Sequence, residues 1–86
     1  MLFITRYSYP PKAREAVIAR FRETGGLPPA GVKLLGRWTL VGGGGGFHVC
    51  EASDASLFAK WAMQWNDLMT IESHPVLDDQ QLAGVL

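Results

Sequence analysis

Residues 42–46 are five consecutive glycines, and they stand between two apolar segments of strand character, 32–41 and 47–52. Ordering such a run inside a helix or strand costs a large loss of backbone freedom. Strands on either side of a glycine turn pair as a β-hairpin. A phosphate-binding loop needs a strand before its glycines and a helix after them. Here a strand follows, and no Gly-x-Gly-x-x-Gly or Gly-Lys-Ser/Thr pattern occurs. The run therefore reads as a flexible hairpin tip, and the remaining elements must be arranged around that reversal.

Residues 2–9 are rich in β-branched and aromatic types and end at Pro10 and Pro11. They read as a strand, after which the prolines open a helix. That helix is expected over 11–24, with Ala13, Val17 and Phe21 as its stripe and Gly25 and Gly26 as its stop. Residues 27–31 read as a loop. Ser53 and Asp54 form an N-cap signal, and a second helix is expected to run to about Asp67. On it Leu57, Phe58, Trp61, Ala62 and Trp65 fall within an arc of roughly 140°. A last strand over 68–76 and a short C-terminal helix capped at Asp78 and Asp79 complete the chain. The order β-α-β-β-α-β predicts one α+β domain over 1–86, the ferredoxin-like arrangement of a four-stranded antiparallel sheet with both helices on one face.

The other sheet face must meet water or protein. Simple alternation places Phe3, Thr5 and Tyr7 opposite Leu2, Ile4 and Arg6, and His48, Cys50 and Ala52 opposite Phe47 and Val49. In the second strand it sets Leu34, Trp38 and Leu40 against Leu35, Arg37 and Val41. A sheet with one wet face alternates cleanly; this one is apolar or mixed on both sides. A chain of 86 residues has little stability margin alone. A homodimer through the open sheet face is therefore expected.

Eight basic residues balance eight acidic ones, which disfavours a dedicated nucleic-acid binder. A hydrophobic share of 48% excludes a disordered chain. One cysteine makes no internal disulfide or Cys-rich metal site and suits a reducing cytoplasm. No signal peptide, membrane span or membrane partner is expected.

The start MLFITRYSYPP, the stretch FRETGGLPPAGVKLLGRW, the glycine run with Phe47, and AKWAMQWNDLM followed by PVLDD resemble one small bacterial family across nearly the whole chain. It is a family of domains of unknown function with the dimeric α/β-barrel form of the ferredoxin-like fold. The resemblance implies a fold and a homodimer and supplies no reaction. In architecture the chain is also similar to antibiotic-biosynthesis monooxygenase-like proteins, but fold does not imply function. Haem-degrading relatives use a strand-one asparagine, a helix-two tryptophan and a later histidine. Trp61 matches, whereas Tyr7 and Ser8 replace the asparagine and Ile71 stands where the histidine would be. No cofactor is expected.

The fold implies a cavity between helices and sheet. Trp61 and Trp65 are expected beside it, faced by Trp38 and Tyr7 from the sheet. Aromatic walls with a few polar groups suit a flat organic ligand, although the same residues can simply close a small core. If the chain is an enzyme, a cofactor-independent monooxygenase or isomerase, His48 or Tyr7 would be its proton acceptor. An interaction module is the third possibility. Glu72 and His74 share a strand face, but two ligands make a weak metal site, and none is assigned. Cys50 reads as a buried structural thiol. Lys12, Arg14, Arg20 and Arg22 form no stripe and read as solvated surface.

Overall fold

The computed structural model describes all 86 residues. In chain order it contains β1 (Leu2–Ser8), a 3₁₀ turn (Pro11–Ala13), α1 (Arg14–Thr24), β2 (Val32–Thr39), β3 (Gly45–Ala52), α2 (Ala55–Met63), β4 (Thr70–Val76) and α3 (Asp79–Ala83). The strands form one sheet in the order β2-β3-β1-β4, antiparallel throughout. This is the ferredoxin-like α+β topology.

Local chemistry explains the element ends. Pro11 opens the 3₁₀ turn, where a missing N–H costs nothing. Gly25 ends α1 in the left-handed region, and its N–H donates to the Phe21 carbonyl. Asp54 caps α2 by accepting from the Ser56 N–H at 2.8 Å. A reciprocal box between Asp78 and Gln81 starts α3. The second helix is shorter than its pattern suggests. After Met63 the chain continues to Leu68 in tight turns, so Trp65 stands beyond α2. There Arg20 of α1 reaches across, donating to the Gln64 carbonyl and, with both terminal nitrogens, to the Asp67 carboxylate. The guanidinium thereby supplies a partner to a carbonyl that the ending helix leaves orphaned.

Phe3, Val17, Val32, Cys50, Ala52, Phe58, Trp61 and Trp65 form the buried core between helices and sheet. Phe3 stacks on Phe58 with ring centroids 4.7 Å apart. Thr5, fully buried in the middle of β1, is satisfied by the Ser73 hydroxyl at 2.8 Å, so its burial leaves no unpaired hydroxyl.

Strand β2 departs from simple alternation. Leu34 is in register with Cys50 and Gly36 with Val49, so Leu35 is an extra residue in a β-bulge. The bulge inverts every later side chain. Arg37 comes opposite His48 on the helix side, and Trp38 comes opposite Phe47 on the open side. The Trp38 indole lies back across Gly36, where an added Cβ would come within 2.6 Å of the ring.

The glycine run also does two jobs rather than one. Only its first part turns. Gly45 and Gly46 are buried residues of β3, paired with Ser8 and Tyr7 of β1. The tip is thus residues 40–44, shifted two residues towards β2 and including Leu40 and Val41 as well as Gly42, Gly43 and Gly44.

Candidate functional site

Helix α1 buries only Val17. Its remaining apolar side chains stand over the sheet without closing on it, and Phe21 stays 46% exposed. The space left between α1, α2 and the sheet is a cavity of about 570 Å³, within the range of ligand pockets. Thr5, Tyr7 and His48 form part of its floor, Val17 and Phe21 one wall, and Phe58, Trp61 and Trp65 the other. The β2–β3 turn reaches its mouth through Leu40, Val41 and Gly43.

The structure brings Tyr7, His48, Trp61 and Trp65 to this one cavity, as alternation and the helix arc anticipate. Trp38 is different. It is 60% exposed on the opposite sheet face, because the bulge at Leu35 reverses the strand before it. Trp38 is therefore no wall of this cavity. Glu72 and His74 lie on that open face too, in register with Arg6 and Ile4. No group of three or more metal-ligating side chains exists to join them.

His48 is the chemical centre of the floor. Its ring lies on the Trp61 indole with centroids 4.8 Å apart, and the Tyr7 ring follows at 5.9 Å. His48 Nδ1 and Trp61 Nε1 are both buried without a hydrogen-bond partner. Burial first, and the neighbouring Arg37 charge second, push the imidazole down to about 4. His48 is therefore neutral at pH 7, able to donate at one nitrogen and accept at the other. Cys50, next in the same row, is fully buried, and burial pushes its thiol up, away from the thiolate.

Arginines complete the site, and simple alternation does not place them there. Arg37 donates to the Gly26 carbonyl at 2.7 Å and the Gly25 carbonyl at 3.2 Å, with its guanidinium carbon 5.0 Å from the Phe21 ring centroid. Arg14 and Arg22 line the cavity from α1 instead of belonging wholly to solvent. Arg20 is held outside it by Asp67, 5.6 Å over the Trp65 ring. The missed signal for Arg37 is the bulge; alternation puts it on the wrong face. Arg14 and Arg22 fall with Ile18 in the i, i+4, i+8 row on one flank of the Ala13–Val17–Phe21 stripe, and since both are exposed the spacing alone does not show that this row borders a cavity.

No helix is long and apolar enough to cross a membrane. The architecture is similar to the structure of Rv0793 from Mycobacterium tuberculosis, with a TM-score of 0.53 and 16% identity over 91% of this chain and 95% of that one. No curated protein matches the sequence. The family model described as Domain of unknown function (DUF3303) matches residues 1–86, and the chain belongs to that family.

Proposed function

We propose that this protein binds a small, flat organic molecule in the cavity between α1, α2 and the sheet. One observation carries the reading: an apolar, aromatic-walled space of about 570 Å³ is held open beside His48 and Trp61 in a domain of only 86 residues. Apolar walls left without contacts forgo dispersion and burial energy, which a ligand would restore. A neutral imidazole and an indole N–H add orientation without a charge. Binding is favoured over acid–base catalysis at His48. An imidazole pushed down to about 4 is a weak proton acceptor at pH 7. Calorimetric titration with the neutral probe 2-naphthol tests the reading. Saturable binding at one site per chain supports it. Absence of heat and of any thermal stabilisation up to the probe's solubility limit overturns it.

A second observation favours a homodimer as the working unit. On the open face Ile4, Leu35, Trp38 and Phe47 are each at least 40% exposed. The charges there are balanced across neighbouring strands: Lys33 is in register with Glu51 and Arg6 with Glu72. An apolar centre with self-compensating charges fits a second copy of itself better than a strongly charged partner. Sedimentation equilibrium tests it: twice the chain mass supports the homodimer, and the monomer mass at micromolar concentration removes it.

A further inference from the structure

The cavity has a pronounced charge asymmetry. Three arginines line it, Arg14, Arg22 and Arg37, and no aspartate or glutamate does. The whole chain is electrically balanced, with eight basic and eight acidic residues. Its one ion pair, Arg20 with Asp67, lies elsewhere. None of the three lining arginines has a carboxylate within ion-pair distance. Arg37 is the most constrained of them. It is half-buried, stacked on Phe21 and tied to two backbone carbonyls. Those bonds use part of a fork that carries five N–H donors, and they leave the positive charge without a counter-charge. Arg22 stands on the last turn of the helix whose end Arg37 holds. Arg14 lies about 12 Å further along α1, two turns away.

Resting on the binding reading above, we infer that the cavity's natural occupant is an anion, a flat aromatic or conjugated carboxylic acid whose carboxylate sits against Arg37 and Arg22 while its apolar body lies beside Trp61. The carboxylate supplies the missing counter-charge, and a planar fork suits its geometry. The apolar body fills the space that α1 leaves open. His48 is in register with Arg37, so the same carboxylate would lie near the imidazole. It would offset the Arg37 charge that opposes protonation there.

Paired probes of the same shape separate the two levels of the proposal. Calorimetry compares 2-naphthoate with 2-naphthamide against the full chain, the double variant R14Q/R22Q and the variant R37Q. Arg14 and Arg22 make no side-chain hydrogen bonds and are exposed, so the double variant keeps the fold even where R37Q loosens the Gly25–Gly26 corner. The expected result is an acid bound at least about tenfold tighter than its amide, with that preference reduced in R14Q/R22Q and lost in R37Q. Raising salt should weaken the acid and leave the amide unchanged. His48 should titrate higher in the presence of 2-naphthoate, and not with 2-naphthamide. Equal affinity for acid and amide overturns the anion inference and leaves the binding reading standing. A preference for the acid that survives in both variants also overturns it. Failure of both probes to bind, together with 2-naphthol, overturns the binding reading itself.

Discussion

The imidazole of His48 rests on the indole of Trp61, with centroids 4.8 Å apart and ring planes 28° from parallel. This contact joins β3 to α2 at the wall of the cavity. It also accounts for the burial of a titratable ring that has no hydrogen-bond partner at Nδ1. Stability and ligand binding are both expected to pass through it.

The first consequence is a pH dependence. The unfolded chain takes up a proton on His48 near 6.5, and the folded chain only near 4. Between those values protonation favours the unfolded state. The contribution of neutral His48 is therefore complete above about 6.5 and is lost as pH falls towards 4. Each pKa unit corresponds to about 1.4 kcal/mol. Allowing for solvent screening on the cavity side, a loss of roughly 1–2 kcal/mol is expected over that window. Denaturant unfolding of the native chain and of His48→Gln checks it, because the variant should lack this part of the slope. Asp54, held below the usual carboxylate range by the Ser56 N–H, and Asp67, held there by Arg20, add losses of the same sign only at lower pH.

The two sheet faces should respond differently to loss of a tryptophan. Trp61 is 5% exposed, and Trp61→Ala should cost about 3–5 kcal/mol, enough to unfold much of the population. Trp38→Glu should leave the helical and sheet content intact while breaking association. In sedimentation equilibrium the native chain should run at twice 9.4 kDa and Trp38→Glu at 9.4 kDa. A native chain that stays at the monomer mass at micromolar concentration removes the dimer reading.

Within the glycine run, position decides the outcome. Gly42 has open space around it, so Gly42→Ala should change stability by less than about 0.5 kcal/mol. A methyl at Gly46 would land on the Trp38 carbonyl oxygen and the Tyr7 ring, and Gly46→Ala should cost roughly 1–3 kcal/mol. Gly45→Ala should be worse, since a φ of 154° adds backbone strain to a clash with the Tyr7 carbonyl. Chemical denaturation of the three variants ranks them, and equal behaviour at positions 42 and 46 would contradict the packing described.

Cys50 should be inert in the folded chain. It is completely buried, and its raised pKa keeps it a thiol. A disulfide-exchange reagent should label it at the unfolding rate, with prompt labelling only in denaturant. Rapid labelling of the native chain would mean that β3 is open to solvent.

The sequence discloses most of the fold because its two periodicities are clean where it matters. Phe3, Thr5 and Tyr7 alternate against Ile4 and Arg6, and Phe58, Trp61 and Trp65 recur at helical spacing; the structure places each on the helix side. The turn position follows from the glycines. What fails is β2. One extra residue at Leu35 moves Trp38 out of the site and Arg37 into it, and no side-chain pattern marks a bulge before pairing is known. The cavity itself is also hidden. Its volume depends on how far α1 stands from the sheet, a property of packing that Ala13, Val17 and Phe21 alone do not encode.

The most direct measurement is a proton–nitrogen spectrum of the three indole N–H groups during titration with 2-naphthol and then 2-naphthoate. Trp61 and Trp65 line the cavity, and Trp38 lies on the other side of the sheet. A bound ligand should therefore shift the Trp61 resonance saturably and leave that of Trp38 in place. Movement of Trp38 alone, or no movement of Trp61 with either probe at millimolar concentration, would contradict the assignment of this cavity as the binding site.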